Sequence, residues 1–341
     1  MDFLRKWQMG RELKRARALE SEGYIDRALP VYEACLERAT GADRTTALRQ
    51  IGYCALRLGK LARSRESLAE CVKLDPADPD TWLLLGKAQM ELRDTISAEE
   101  SYQEALKLAP ERVDILHAQT EIYAIKFPRA AFEASKRVVA LVVEKPEEVE
   151  RLRFPRELPI VFLRNLAVEQ RFVDETIAYL DELAGKGARW IKPVALNHKG
   201  ILMANSGRND EAVKAYLSVL SADPEFDAAH FNLGLVHSRR RDWDAAKASL
   251  SVYAKRHPTD AIATYGFGFL AETKPDVPEM IRLYTFFLER MKSNPPTGVA
   301  LGRLDIARGW VQHVQTVLEH AKRHQAEGHD HEEPRPESPG A

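Results

Sequence analysis

Three cysteines in 341 residues, none in a Cys-x-x-Cys pair, leave no spacing for a disulfide framework or a zinc site. No run approaches the roughly 20 apolar residues that a helix needs to cross a bilayer. Arg5 and Lys6 interrupt the amino terminus before a signal peptide's apolar core could form. A cytoplasmic location is the expectation. An excess of one charge is also missing: 50 Lys and Arg against 51 Asp and Glu leave a formal net charge of −1, which gives no bulk attraction to nucleic acid. There is no glycine-rich phosphate loop, no strand-rich stretch to carry a nucleophile elbow and no His-Glu-x-x-His spacing. These absences point to a chain that is not an enzyme and uses neither a cofactor nor a metal.

What is present is a period. Glycines 52 and 86 lie 34 residues apart, as do glycines 200, 234 and 268. Pro76 and Pro110, and Pro224 and Pro258, keep the same interval. Each glycine sits in a helix-like apolar pattern, and a fixed period of this size signals a solenoid of helix pairs. The clearest repeat carries Trp82, Leu85 and Gly86 on a first helix, Ala98, Tyr102 and Ala105 on a second, and Pro110 at its end. Large apolar residues fill the wedge, small ones allow close approach, and proline stops a helix that it cannot continue.

With these residues the chain resembles the tetratricopeptide repeat (TPR) family. The resemblance implies an all-α solenoid, a right-handed superhelix of about eight helix pairs closed by a capping helix. Setting position eight on the glycine gives an amino-terminal array at 9–42, 45–78, 79–112 and 113–146, and a second array at 157–190, 193–226, 227–260 and 261–294. Gly86 and Gly200 are 114 residues apart, three periods plus 12, and ten of the extra residues fall in 147–156 between Pro146 and Pro155. Proline disfavours helix in the residue before it, so 147–156 is read as an irregular linker. Residues 297–325 read as the capping helix, with Trp310 completing its seal or marking a partner site. Residues 326–341 read as a disordered tail. Cys35 and Cys71 fall at the small-residue position of their second helices and Cys54 lies beside Gly52, so all three are expected to be reduced core thiols.

Function in the family resides mainly on the concave first-helix face, at repeat positions two, five, nine, twelve and thirteen. In the first array these positions supply Arg49, Tyr53 and Arg57, then Lys87, Met90 and Glu91, then His117. That mixture suits an acidic or amphipathic segment, although each cation taken singly also fits the solvated end of a helix. In the second array the groove residues are Asn197, Asn205, Phe231, Asn232 and Arg239; the asparagines offer both a donor and an acceptor to a peptide backbone. A chaperone-binding subgroup grips a terminal carboxylate with five side chains. Here Asn232 matches one of them, but Asn197, Ile201, Ile262 and Gly266 do not, which argues against that clamp.

Arg5, Lys6, Arg11, Lys14, Arg15 and Arg17 share a helical segment with Phe3, Leu4, Trp7 and Leu13. This reads as a first helix with its cations in water, or as a peripheral membrane contact through residues 1–20. Arg239, Arg240 and Arg241 fall where a first helix ends and its dipole favours cations. His313, His320, His324, His329 and His331 cluster late in the chain and support adventitious metal binding at most. The implied function is a non-catalytic protein-interaction scaffold or adaptor that binds a polypeptide segment in its groove. The alternatives are a regulatory or substrate-recognition subunit of an enzyme complex and a peripheral membrane-assembly factor.

Overall fold

The computed structural model describes the backbone of residues 2–152, 154–186, 189–293 and 301–329, and the side chains of 9–152, 154–169, 171–186, 189–293 and 309–323. Among these residues all regular structure is helical. The chain divides into two compact units, Met1–Phe154 and Pro155–Ala341. In the first, α1 (Asp2–Ser21) pairs with α2 (Ile25–Leu36), α3 (Gly41–Arg57) with α4 (Leu61–Leu74), α5 (Pro79–Glu91) with α6 (Thr95–Leu108), and α7 (Val113–Lys126) with α8 (Pro128–Glu144). In the second, α10 (Leu158–Gln170) pairs with α11 (Val173–Gly185), α12 (Ile191–Asn205) with α13 (Asn209–Ala222), α14 (Asp227–Arg239) with α15 (Trp243–Arg256), and α16 (Ala261–Thr273) with α17 (Val277–Ser293). The short helix α9 (Pro146–Arg151) occupies part of the stretch read as an irregular linker. Pro146 is tolerated there because the first turn of a helix needs no amide donor at that position.

Local chemistry sets the helix ends. The Asp78 carboxylate accepts from the Asp80 amide and Pro79 opens α5, while Asp94 and Asp260 cap α6 and α16 in the same way. In six of the eight pairs the chain passes between the helices through a left-handed residue, Gly23, Gly59, Arg93, Arg171, Gly207 or Arg241. Glycine adopts that conformation freely and arginine at some cost.

The periodic glycines are explained by the second helix. A Cβ on Gly200 would lie 2.6 Å from the Tyr216 ring, and one on Gly234 would lie 2.5 Å from Leu250. Gly52 faces Leu68, Gly86 faces Tyr102 and Gly268 faces Tyr284 in the same manner. The close approach is thus side chain on backbone. Tyr102, Tyr216 and Tyr284 are buried to 1% exposure or less, which is about 2–3 kcal/mol of apolar burial each.

Leu13 and Ala16 of α1 pack on Ala28, Tyr32 and Cys35, while Lys14, Arg15 and Arg17 face solvent. The side chains of Phe3, Leu4, Arg5, Lys6 and Trp7 fall outside the described residues. All three cysteines are free and buried, and burial pushes Cys35 up to about 11 and Cys54 up to about 12, so these thiols are inert. The last helix, α18 (Leu301–His329), carries through 326–329, which the sequence reading gave to the tail; residues 330–341 lie outside the described residues. It packs on α17 but also touches α10, three helix pairs earlier in the same unit, which a helix that only sealed the last pair would not reach.

Gly200→Ala is expected to cost about 1–3 kcal/mol through overpacking against Tyr216. Gly10→Ala, which meets open space in α1, is expected to be neutral or to stabilise by up to about 1 kcal/mol. Urea denaturation of both variants measures the difference.

Candidate functional site

In the first unit the expected groove residues are largely engaged with the protein itself. Arg49 Nη1 donates to Asp78 Oδ2 at 2.8 Å, and Oδ1 of the same carboxylate caps α5. Burial pushes the Asp78 carboxyl up, but the Thr81 hydroxyl and the Arg49 guanidinium outweigh it and hold it below the usual carboxylate range. Arg57 Nη1 donates to the Tyr53 hydroxyl at 2.9 Å and its guanidinium lies over that ring. Met90 packs on the Leu83–Tyr102 cluster. His117 is 5% exposed beneath the edge of Phe154, so it forms wall where the repeat register places it on the surface. Lys87 and Glu91 are exposed and, among the described residues, unpaired.

The second unit holds a concavity of about 440 Å³ on the first-helix face of α10, α12 and α14. Asn205, Asn232 and Arg239 line it. Asn197, at 6% exposure, lies behind Asn232 and accepts from its amide at 2.9 Å. Phe231 is 4% exposed, packed against Tyr253 and Trp310 with ring centroids 5.3 and 5.5 Å away. Those two residues shape the site from within its wall. Arg239 Nη1 reaches the Ala204 carbonyl at 3.4 Å and its guanidinium lies over Phe269.

Arg164 and Tyr216 join the site without a signal taken from the sequence, and Trp310, read there as a seal or a partner mark, joins them. Arg164 on α10, 6% exposed, donates from Nη1 to His198 Nδ1 at 3.2 Å and from Nη2 to Asn165 Oδ1 at 3.0 Å. Tyr216 closes the floor. Trp310 of α18 forms a side wall and stacks on Tyr265 at 4.7 Å and 17°. Next to it, His313 Nε2 lies 3.0 Å from Glu272 Oε2, and Tyr284 donates to the same carboxylate. Burial pushes Glu272 up, but the His313 and Tyr284 bonds outweigh it and hold it low. The repeat register did carry a signal for Arg164, which stands at position eight of its repeat, where five others have glycine.

Because arginine only donates, His198 Nδ1 must be bare and the ring proton sits on Nε2. Burial, then Arg164, pushes His198 down to about 3; burial, then Lys87, pushes His117 down to about 4. Both imidazoles are therefore neutral at pH 7. Among the described residues no group of three or more His, Cys, Asp or Glu could hold a metal, and no helix is long and apolar enough to cross a membrane. The side chains of His324 and His329, with His331, lie outside the described residues. What remains is a mainly apolar recess of aromatic and aliphatic walls with guanidinium and amide donors set among them.

As the pH falls from about 6.5 towards 4, the unfolded state protonates these histidines while the folded state does not. Stability therefore drops, by up to about 1.4 kcal/mol per pH unit for each histidine. The urea midpoint is expected to fall over this window, and His117→Gln is expected to make the fall shallower.

Residues 13–79 and 197–261 match one family profile and 79–112 a second, both described as Tetratricopeptide repeat. The chain is 26% identical over 206 residues to a Peroxisomal targeting signal receptor of Candida albicans, covering 52% of this chain and 35% of that protein. To the protein of the same name from Kluyveromyces lactis it is 23% identical over 244 residues, covering 64% and 43%. The match thus spans less than half the length of these relatives. A solved tetratricopeptide repeat protein from Parabacteroides merdae superposes with a TM-score of 0.52 at 12% identity, covering 90% of this chain and 98% of that one, a likeness of fold alone.

Proposed function

This chain belongs to the tetratricopeptide repeat family, and from that premise we propose that it is a non-catalytic interaction scaffold that receives a polypeptide segment on the first-helix face of its second compact unit. One observation carries the reading. In the second unit Asn205 and Arg239 are exposed at the rim of the 440 Å³ concavity, and among the described residues neither is tied to a carboxylate. In the first unit Arg49 is paired with Asp78 and Arg57 lies on the Tyr53 ring and hydroxyl, so among the described groove cations there only Lys87 has no hydrogen-bond partner. The recess combines amide donors with apolar wall from Ile201, Leu235 and Trp310, the pairing that lets main-chain bonds supply affinity and side-chain pockets supply selectivity. The curated relatives are named as receptors for a targeting signal. A receptor role for a peptide signal is carried over to this chain as part of the proposal.

Selection of phage-displayed linear peptides on the immobilised full chain tests this. Enriched peptides are expected to lose about tenfold or more in affinity on Asn205→Ala plus Arg239→Ala, the scale of one or two hydrogen bonds to charge. They are expected to be indifferent to Lys214→Ala on the outer face of α13. If the combined change of Arg49, Tyr53, Arg57 and Lys87 weakens binding and the Asn205 and Arg239 changes do not, the first unit carries the site and the proposal is wrong in its location. An absence of enrichment contradicts it altogether.

A further inference from the structure

We infer that the concavity of the second unit contains a carboxylate subsite, with Arg164 and Arg239 as its two arms, which takes an Asp or Glu side chain of the bound segment. This rests on the reading of that face as a peptide groove and adds the chemistry of what it selects.

The first ground is the exception to the repeat. Position eight is glycine in five repeats because the second helix lays a leucine or tyrosine on it, and a Cβ there would meet that side chain at under 3.0 Å. In the fifth repeat the position is Arg164, the largest cation in place of the smallest residue. Its backbone still lies on a helix, and its guanidinium turns to the next repeat, reaching His198 on α12. A packing role would be met by any small residue; a permanent charge at 6% exposure needs another reason.

The second ground is the partner inventory. Guanidinium has five N–H groups and cannot give up its charge at accessible pH. Nε and Nη2 of Arg164 go to Asn165 Oδ1 and Nη1 goes to His198 Nδ1, which leaves two donors unused and supplies only neutral acceptors. Among the described residues no carboxylate lies within 4.0 Å of Arg164 or Arg239, although Glu169 lines the same opening. Elsewhere in this unit the pattern is the reverse: Lys199 pairs with Asp181, Arg208 with Asp174, Arg240 with Asp210, and Arg256 with Asp227. These four cations are neutralised, and the two in the recess are not; what sets the recess pair apart from exposed cations such as Lys214 and Lys247 is that Arg164 is buried.

The third ground is convergence. Both guanidiniums stand close enough to the Tyr216 phenol for their charge to oppose the rise that burial imposes on it. Arg239 gives one donor to Ala204 at 3.4 Å and keeps the rest. Planar guanidinium matches planar carboxylate in a bidentate bond, and low local polarity strengthens it. Apolar wall from Leu235 and Trp310 beside the charge favours an acidic residue flanked by an apolar one. The subsite also differs from the terminal-carboxylate clamp, whose positions in this chain are Asn197, Ile201, Asn232, Ile262 and Gly266.

The test uses the full chain, labelled with nitrogen-15 arginine, and follows the guanidinium Nε–Hε resonances, with Arg164 assigned by Arg164→Lys. Glutarate is expected to move the Arg164 and Arg239 resonances along one saturable curve, while glutaramide at the same concentration leaves them in place and inorganic phosphate acts more weakly. Arg239→Ala, at an exposed position, is expected to weaken glutarate binding by roughly tenfold, one charge-assisted contact, with the Arg164 resonance retained as evidence of folding. Equal response to glutarate and glutaramide, no response to glutarate, or tighter binding of phosphate overturns the carboxylate assignment. If the selected peptides bind this face but tolerate Glu→Gln, the subsite fails and the groove stands; if no peptide binds this face, the groove reading fails first.

Discussion

A leucine or tyrosine from the second helix of five of the eight pairs, seated on first-helix backbone where a Cβ is missing, is the contact on which the remainder of the structure depends. Gly52 with Leu68, Gly86 with Tyr102, Gly200 with Tyr216, Gly234 with Leu250 and Gly268 with Tyr284 are one interaction repeated, always sixteen residues apart. It fixes the spacing of the two helices in each pair and turns the other face of the first helix outward from the pair. That face then contributes little to packing within the pair, so its residues are open to other uses. Packing within the pair is thereby confined to one side of the first helix, and the proposed binding surface lies on the other, as suits a repeat whose members contact only their neighbours.

The pairs that keep this contact were legible in the sequence for that reason. Glycine and proline at 34-residue intervals have no substitute that meets the same constraint, so they appear as a period. Trp82 is similar: its indole donates to the Pro76 carbonyl at 2.9 Å and ties the start of α5 to the turn before it, and His230 approaches Pro224 in the corresponding place. Burial of individual face residues was not legible. The register puts His117, Asn197 and Phe231 on the first-helix face, but Phe154, Asn232 and Trp310 cover them; Phe154 and Trp310 come from segments outside the period, and Asn232 comes from the next repeat. Arg164 was overlooked because its repeat is degenerate, although the degeneracy at position eight is itself the signal. The reach of α18 back to α10 leaves no local trace, since a helix that only caps and a helix that crosses a face have the same apolar spacing.

Charge separates the two faces as clearly as packing does. The near balance of acidic and basic residues is realised as ion pairs between and along the helices, most of them exposed and individually worth about 0–1 kcal/mol. Each such pair removes one cation from the surface as a place where an acidic partner would bind. The recess differs in holding a buried cation, Arg164, on neutral His198 and Asn165, with Arg239 standing at the rim. Holding a buried guanidinium without a carboxylate costs stability, and a cost of that kind is characteristic of sites retained for binding.

The claim that the second unit's recess is the receiving surface is tested most directly by a photocrosslinking residue placed at Asn205 and, as the comparison, at Lys214 on the outer face of α13, in the full chain inside the cell. The account predicts a discrete protein adduct from position 205, mapping to one segment that carries an acidic residue, and none from position 214. Adducts from 214 with none from 205, or adducts from 205 spread over unrelated segments without acidic residues, would contradict it.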